Sequence, residues 1–307
     1  MIYLTGRKEF EIKPGKNAVT LGKFDGIHRG HQKLMQTLLR LKEQGDSAGV
    51  FTFDFHALSM LKHRKVRQLM TGQERETFLE NLGIDWMVEY PFDEEMMETE
   101  PEAFIRDTLV GKLHARDVVV GEDYRFGKNR RGSCGMLKQY AEQYGYQVHV
   151  LEKEKDETGR EISSTYIREE LEQGHMEKVR ELLGYPYEIH GTVQHGLGLA
   201  KNLGFPTMNQ IPEEEKMLPP YGVYIVRAQV DGIWYNGITN IGKKPTVHKQ
   251  DRPWVETYLW DYTGDAYGKE VTVAIYRFCR PERVFSGIEE LKEQMSRDVR
   301  TGQSYFE

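Results

Sequence analysis

The stretch Gly22–His31, which reads GKFDGIHRGH, decides the architecture of the first half of the chain. It follows a short apolar run, Asn17–Leu21, and precedes leucines at helical spacing over residues 34–41. An apolar run, a glycine-containing turn and an amphipathic segment predict a strand, a loop and a helix. Because a helix start offers free backbone N–H groups to phosphate oxygens, the loop is a candidate anion site. His28 and His31 lie three residues apart at that start, so both rings are expected to face one crevice at the end of a sheet.

Strand-like and helix-like segments go on alternating through the first half. Strands separated by helices are typical of βαβ units in a parallel sheet. The sequence therefore predicts an α/β domain with a doubly wound parallel sheet, which we expect to span residues 1–184. The predicted strands are Asn17–Leu21, Ala48–Phe53, Trp86–Glu89, Val118–Val120 and Gln147–Leu151, and the predicted helices include Gln73–Leu82 and Leu137–Tyr144.

The second half predicts a small antiparallel β-barrel with a C-terminal helix. Four runs rich in Val, Ile, Thr, Tyr and Trp follow one another with turn residues and no helix between them. The pattern changes near Gly184 from alternating strands and helices to consecutive strands, so residues 185–307 are expected to form this second domain. Ser286 with Glu289 predicts a capping box for the last helix. The inner face of this helix is expected to carry Ile288, Leu291 and Met295. The four predicted strands are Tyr221–Val230, Trp234–Ile241, Trp254–Asp261 and Lys269–Phe278.

Composition disfavours several classes of protein. With 307 residues, Lys+Arg 42 and Asp+Glu 48, the chain has a net charge of -6, which argues against a general nucleic-acid binder. It contains no apolar run long enough to span a bilayer and no signal peptide. Its two cysteines lack a C-x-x-C spacing, which disfavours a disulfide framework or a thiolate zinc site. We expect a cytoplasmic protein with no nucleic-acid or membrane partner, and the sequence leaves its oligomeric state open.

Taken without context, His28 and His31 are two surface histidines on a turn. A zinc site is a second alternative, but the sequence offers no third ligand at suitable helical spacing. Their setting resembles the nucleotidyltransferases that carry H-x-G-H, most closely the bacterial FAD synthetase module with its motif G-x-F-D-G-x-H-x-G-H. That resemblance implies transfer of AMP from ATP to FMN with release of pyrophosphate, catalysed by the histidine pair. It also implies that ATP binds to Gly22, Phe24, Asp25, Gly26, His28, Gly30 and His31.

A second match lies at residues 162–168, ISSTYIR, and is similar to the family's I-S-S-T-x-I-R. Hydroxyls at a helix start can cap the helix, and an arginine in its first turn can bind phosphate oxygens through two N–H groups. The plainer alternative is an N-cap beside an exposed arginine. By resemblance, the ATP-binding residues here are Ser163, Ser164, Thr165 and Arg168.

A third match, GEDYRFG at residues 121–127, is similar to G-x-D-F-x-F-G of the same family. Aromatic rings beside glycines suit an isoalloxazine ring, and a packed loop with core aromatics is the alternative. The segment TFDFHA at residues 52–57 lacks both prolines of the family's T-F-x-P-H-P but keeps its histidine. By resemblance, the flavin-binding residues are His56, Asp123, Tyr124 and Phe126.

The most specific stretch of the second half is His195–Asn209, HGLGLAKNLGFPTMN. Its glycines suit a loop over phosphates, but it is no Walker loop because G-K-[ST] is absent, and an ordinary glycine-rich loop is the alternative. Pro206 favours an extended chain, on which Thr207 and Asn209 project the same way. Their oxygens are hard ligands that suit Mg²⁺ beside nucleotide phosphates.

The same stretch resembles the riboflavin kinase signature G-x-L-G-F-P-T-A-N. The resemblance implies phosphorylation of riboflavin by ATP, with Mg²⁺ held by Thr207 and Asn209. Glu256, in the segment VETYLWD, matches the family's catalytic base, whereas a strand glutamate taken alone usually faces solvent. The ATP-binding residues implied are Gly196, Gly198, Lys201, Gly204, Pro206, Thr207 and Asn209.

Both motif sets occur in the order that the bifunctional bacterial flavin-synthesising enzymes require. The resemblance implies ATP as co-substrate, Mg²⁺ as cofactor, and riboflavin, FMN and FAD as substrates or products. Ala200, Lys201 and Met208 depart from the kinase signature, so an FAD synthetase with a degenerate kinase domain is one alternative. A flavin-binding regulatory protein is another.

Overall fold

The computed structural model describes residues 1–6, 8–54, 67–196, 203–243 and 252–307. The chain forms two compact units, Met1–Ser164 and Thr165–Glu307. An α/β unit with a parallel sheet and a small closed barrel with a C-terminal helix are both present, which confirms the predicted fold class. Within the described ranges, no helix combines the length and apolar character needed to cross a bilayer.

The strands of the first unit are β1 (Ile2–Thr5), β2 (Asn17–Leu21), β3 (Ser47–Phe53), β4 (Trp86–Tyr90), β5 (Ala115–Gly121), β6 (Arg125–Phe126), β7 (Gly132–Ser133) and β8 (Gln147–Leu151). Six of them form one sheet in the order β1-β4-β3-β2-β5-β8, and every pairing in it is parallel. All five residues of β2 are buried, as expected for a central strand covered on both faces. The short β6 and β7 pair separately as an antiparallel hairpin.

Helices connect these strands. They are α1 (Arg29–Glu43), α2 (Gly72–Leu82), α3 (Glu94–Glu98), α4 (Pro101–Ala103), which continues as a π-helix over Phe104–Lys112, and α5 (Cys134–Tyr144). α2 begins with a capping box that the sequence analysis missed. The Thr71 hydroxyl accepts from the Glu74 N–H, and the Glu74 carboxylate accepts from the Thr71 N–H.

The strand order reverses at β2. The next strands along the chain, β3 and β4, lie on one side of β2, whereas β5 and β8 lie on the other. Thr20 in β2 pairs with Val119 in β5, so the carboxyl ends of these two strands are neighbours. Open α/β sheets bind ligands outside the carboxyl ends of strands at such a reversal. The loops after β2 and β5, which carry two of the predicted motifs, therefore meet there.

The second unit contains α6 (Ser164–Glu172), α7 (Met176–Leu183), β9 (Tyr187–Gln194), β10 (Thr207–Gln210), β11 (Gly222–Val230), β12 (Ile233–Lys243), β13 (Pro253–Leu259), β14 (Glu270–Pro281) and α8 (Ile288–Phe306). The strands close an antiparallel barrel in the order β10-β13-β12-β11-β14-β9. α7 packs against β14 and β9, with Glu177 Oε1 3.0 Å from Arg277 Nε. Gly302 of α8 packs against Trp260 and Ile238, where a larger residue has no room.

Some expectations for this unit are wrong. Ser286 is not the cap of α8, because the N-cap is Gly287 and no side chain caps it. The N–H and hydroxyl of Ser286 instead donate to the Glu290 carboxylate at 2.9 and 2.8 Å. Of the expected inner face, Ile288 is 65% exposed, at the first residue of α8, whereas Leu291 and Met295 are half-buried. Strand β9 was not predicted, although its sequence YEIHGTVQ alternates apolar and polar residues, because this run was interpreted as the start of the second domain and not as a strand. For β10 only the extended chain at Thr207 and Asn209 was expected.

Candidate functional site

The turn between β2 and α1 contains three residues with positive φ, a backbone conformation that core packing must stabilise. Phe24 (φ 40), Gly26 (φ 84) and Ile27 (φ 24) all adopt left-handed conformations. The left-handed conformation costs each of the two non-glycine residues about 1 kcal/mol or more in free energy. Both side chains are fully buried, so core packing offsets the strain. A Cβ at Gly22 would lie 2.9 Å from the Phe24 ring, so the glycine lets that ring fold under the turn. The turn therefore sets the direction in which His28 enters α1.

The two histidines of the turn form a stacked pair. Their ring centroids are 3.7 Å apart with 21° between the ring planes. The Phe24 ring supports His31 edge-on, at a centroid distance of 5.1 Å. Gly30 lies between the two histidines, and a Cβ there would come within 3.3 Å of His28 Nδ1. The two rings thus lie together, and their position in a ligand crevice stays a prediction.

Burial keeps both imidazoles neutral at neutral pH. His28 is 6% exposed, and desolvation lowers its pKa to about 4. Desolvation also lowers the pKa of His31, and the neighbouring His28 lowers it further. The Nδ1 atoms of both rings are buried and find no hydrogen-bond partner among the residues that the structure describes. Buried polar atoms without partners are rare in proteins, so these two atoms indicate a ligand position.

The start of α1 is open for an anion. The first helical hydrogen bond runs from the Gln32 N–H to the His28 carbonyl, at 2.9 Å, so the preceding N–H groups are left outside the helical ladder. No side chain caps this end, and its first turn has no acidic residue. Two cationic side chains of the first helical turns pair with Glu154. Arg29 Nη2 lies 3.0 Å and Lys33 Nζ 3.7 Å from its carboxylate oxygens. The amides and the helix dipole favour negative charge here, and Arg29 and Lys33 balance the charge of the neighbouring Glu154 carboxylate.

Asp25 joins separate parts of the first unit to this turn. Its buried carboxylate accepts from the backbone N–H groups of Leu69 and Met70 at 2.9 and 3.2 Å. Its backbone carbonyl accepts from the Ser164 hydroxyl at 2.7 Å. The structure thus brings Ser164 of the second motif to the first, and the Asp25 carboxylate holds the chain at residues 69–70.

The other predicted residues of the second motif differ in burial. Ser163, next to Ser164, is half-buried. Thr165 is exposed and Arg168 is half-buried, and both belong to the second unit. The ATP-binding role of these residues stays a prediction.

The loop after β5 has the aromatic layer that its sequence suggests. Tyr124 and Phe126 are stacked, with ring centroids 5.6 Å apart and 17° between the planes. Phe126 is buried against Phe104, so it is part of the core, whereas Tyr124 is half-buried and desolvation raises its pKa. Asp123 is exposed and lies 2.9 Å from Lys153 Nζ. Among the three, Tyr124 is the one that is best placed to meet a planar ligand.

In the barrel, strand pairing aligns the predicted kinase residues. Thr207 and Asn209 are two residues apart in β10 and share a face, as predicted, and they pair with Tyr258 and Glu256 of β13. Asn209 is 4% exposed and Glu256 is half-buried. A Cβ at Gly196 would lie 2.5 Å from Asn209 Nδ2, so this glycine makes room for the amide. An amide, a hydroxyl and a carboxylate thus lie on one face of two adjacent strands.

Other predicted residues of the barrel site are exposed or lie outside the described ranges. Gly204 has a positive φ of 91° and is exposed, as is Pro206. The predicted residues outside the described ranges are His56, Gly198 and Lys201.

Asn240 and Glu282 belong to stretches that match the riboflavin kinase family, but neither was predicted as a site residue. Asn240 of β12 pairs with Glu256 on the side opposite Asn209. Its Nδ2 donates to Glu282 Oε1 at 3.1 Å. The available signal was the run NIGK at residues 240–243, but only the strand register shows that Asn240 adjoins Glu256.

The buried His28 predicts a dependence of stability on pH. Its folded pKa of about 4 is below the 6.5 of a free histidine, so the folded state binds fewer protons than the unfolded chain between these values. The free energy of unfolding must therefore fall as the pH drops from 6.5 towards 4. We expect His28→Asn to lose less stability than the natural chain over this window, by about 2–3 kcal/mol. Denaturant unfolding of the ligand-free proteins at both ends of the window measures this, and equal losses would contradict it.

The fold and the two sites define a class of protein. A doubly wound sheet with an anion-binding helix start and neutral imidazoles at its reversal point suits chemistry on a nucleotide phosphate. A closed barrel with a hydroxyl, amides and a carboxylate on one face suits transfer of a phosphoryl group to an alcohol. The chain is a two-domain transferase of phosphorus-containing groups.

Comparison with known proteins specifies the family. The profile of FAD synthetase matches residues 11–166 and that of riboflavin kinase matches residues 183–306. The bifunctional riboflavin kinase/FMN adenylyltransferase of Listeria monocytogenes is 34% identical over 94% of this chain and 92% of its own. The proteins of the same name from Bacillus subtilis and Escherichia coli are 34% and 33% identical, over 95% and 94% of this chain and 93% and 92% of their own.

A solved structure shares the whole architecture. A Streptococcus pneumoniae protein described as a macrolide-efflux protein superposes with a TM-score of 0.84 at 25% identity, covering 99% of both chains. The chain studied here belongs to the bifunctional riboflavin kinase/FMN adenylyltransferase family. The resemblance read from its motifs is confirmed for both halves.

Proposed function

We propose that this chain converts riboflavin to FMN and FMN to FAD at two separate sites, each using its own ATP. The observation that carries the proposal is that each unit has its own set of aligned polar groups. The first unit has the stacked His28 and His31 with buried, unpartnered Nδ1 atoms at the start of α1. The second has Asn209 paired with Glu256 across β10 and β13.

At the first site, a phosphate oxygen of FMN attacks the α-phosphorus of ATP, the bond to the β-phosphate oxygen breaks, and pyrophosphate leaves. His28, His31 and the N–H groups at the start of α1 donate hydrogen bonds to the phosphate oxygens as their charge changes. The negative charge of the polyphosphate favours the protonated form of the imidazoles, in which both ring nitrogens donate. The remaining residues proposed for ATP are Gly22, Phe24, Asp25, Gly26, Gly30, Ser163, Ser164, Thr165 and Arg168, and those for the flavin are His56, Asp123, Tyr124 and Phe126.

At the second site, Glu256 accepts the proton of the riboflavin 5′-hydroxyl while the hydroxyl oxygen bonds to the γ-phosphorus of ATP and ADP leaves. A primary alcohol is a weak nucleophile at neutral pH, so a carboxylate within reach of its proton is a chemical requirement. Otherwise the reaction depends on positioning and charge neutralisation. The residues proposed for ATP are Gly196, Gly198, Lys201, Gly204, Pro206, Thr207 and Asn209.

The donor set of the second site fits Mg²⁺. The side-chain oxygens of Thr207 and Asn209 lie on one face of β10, and Asn209 is held in a space that Gly196 leaves open. Two hard oxygens suffice for Mg²⁺, which keeps several waters and binds phosphates as its other ligands. When bound, the ion neutralises charge on the ATP phosphates.

We also propose that the adenylyltransferase domain runs to residue 184 and that the kinase domain spans residues 185–307. The start of the riboflavin kinase profile at residue 183 supports this division, whereas the compact units divide earlier, between Ser164 and Thr165, and include α7 with the second unit. The partners proposed are small molecules, with no nucleic acid or membrane among them. Cys134 and Cys279 are both free thiols, which suits a reducing compartment such as the cytoplasm.

An assay with purified protein tests the proposal. With riboflavin, ATP and Mg²⁺, chromatography should show FMN first and then FAD. With FMN in place of riboflavin, FAD and pyrophosphate should form directly. FAD from FMN without any FMN from riboflavin would instead favour a degenerate kinase domain, and flavin binding without turnover would favour a regulatory protein.

A further inference from the structure

A second carboxylate adjoins the row formed by Asn209 and Glu256. Glu282 follows Pro281, the last residue of β14, and its Oε1 accepts from Asn240 Nδ2 at 3.1 Å. Asn240 in turn pairs with Glu256 across β12 and β13. The Asn240 carboxamide therefore connects Glu282 to the strand position of the proposed base.

The position of Glu282 is built into the barrel. Its carboxylate lies over the backbone of Gly242, where any Cβ would overlap it. Just before it, Arg280 is anchored to α8 through the buried Asp298, with Nη2 2.7 Å from Oδ2. Arg280 Nη1 also donates to the Pro281 carbonyl at 3.1 Å. The chain that leads into Glu282 is thus fixed to α8 on its N-terminal side.

The Glu282 carboxylate selects one orientation of the Asn240 side-chain amide. A carboxylate only accepts hydrogen bonds, so Glu282 must face the NH₂ group of Asn240 and not its carbonyl oxygen. Paired residues on adjacent antiparallel strands have Cβ atoms about 4.5–5.5 Å apart, which brings the Asn240 and Glu256 side chains within reach of each other. With Glu282 in place, the second N–H of the amide remains available on the side of Glu256.

We propose that Glu282 is a positioning residue of the kinase site, which fixes the amide orientation of Asn240 and through it holds Glu256 towards the reacting hydroxyl. The inference rests on the proposed role of Glu256 as the base. Without the Glu282 carboxylate, the amide can rotate by half a turn and present its oxygen to Glu256. Two acceptors then face each other, and the base is pushed out of alignment.

The test begins with Glu282→Gln, which keeps the size of the side chain but can donate as well as accept. We expect kcat for riboflavin phosphorylation to fall about 10- to 100-fold, as for a misaligned catalytic group, with much smaller changes in KM for riboflavin and ATP. Glu282→Asp retains an acceptor and should recover part of the loss. Glu293→Gln removes an exposed carboxylate of α8 and should change neither constant. FAD formation from added FMN should be the same in all variants.

A double-mutant cycle separates positioning from a purely structural role. In an Asn240→Ala background, Glu282→Gln should have no further effect on kcat, because the residue it acts through is gone. Additive losses, or an unchanged kcat in the single Glu282→Gln variant, would overturn the inference. If Glu282→Gln does not fold, the same cycle with Glu282→Asp decides. The proposed function fails on a different result, namely full kinase activity in Glu256→Gln.

Discussion

His28→Ala is expected to lower kcat/KM for FAD formation from FMN by about 100- to 1000-fold, the usual cost of losing one donor to a charged transition state. The effect should be large because His28 is buried and held by the ring of His31. It stacks on His31 at 3.7 Å, and it leaves its Nδ1 buried without a partner in the described chain. An assay with FMN supplied directly, with pyrophosphate release as the readout, measures this step without the kinase step.

The same variant should form FMN from riboflavin at the normal rate, because its kinase residues are untouched. His175→Ala is the matched control, since this histidine is exposed and its partner is Glu170, in neither proposed site. Loss of both activities in a folded His28→Ala protein would contradict the assignment of separate sites. Unchanged FAD formation would remove the histidine pair from the mechanism.

Glu256→Gln is expected to reduce kcat for riboflavin phosphorylation by about 100- to 10,000-fold, as for loss of a general base. The change keeps the volume of the side chain and its place opposite Asn209 and Asn240, so the barrel should remain intact. KM for ATP should change little, because the proton acceptor is distinct from the proposed phosphate ligands. Rapid-mix assays with a single turnover of riboflavin give the chemical step directly.

Glu270→Gln is a suitable control for this variant. Glu270 also lies on a barrel strand, is exposed and accepts a hydrogen bond from Thr192, but it lies in β14, away from the β10–β13–β12 row. The control should retain full kinase activity, and both variants should make FAD from added FMN. If Glu256→Gln phosphorylates riboflavin as fast as the natural chain, another group must accept the proton.

Much of the fold was predictable from local sequence. The run Asn17–Leu21 followed by GKFDGIHRGH predicted β2, the turn and α1, because an apolar run, glycines and helical periodicity are short-range signals. The four strand-like runs after Gly184 likewise predicted β11 to β14 of the barrel. The spacing of Thr207 and Asn209 was enough to place both on one face of a strand.

Other features depended on long-range packing. Ser286 and Glu289 have the spacing of a capping box, but the structure has its box at Thr71 and Glu74. Both pairs have suitable residue types, and only the docking of each helix determines where its first turn begins. Similarly, nothing in the sequence shows that the Asp25 carboxylate is bonded to the N–H groups of Leu69 and Met70.

The sequence by itself determined the fold class, the two motif sets and the identities of His28, His31, Asn209 and Glu256 as candidates. The tertiary structure alone decided that β2 adjoins β5, that both histidine Nδ1 atoms are buried, that Asn240 pairs with Glu256 and that Glu282 bonds to Asn240. The reason is physical. Periodicity and turn chemistry act over a few residues, whereas strand register and desolvation arise only when distant segments close into a sheet or a barrel.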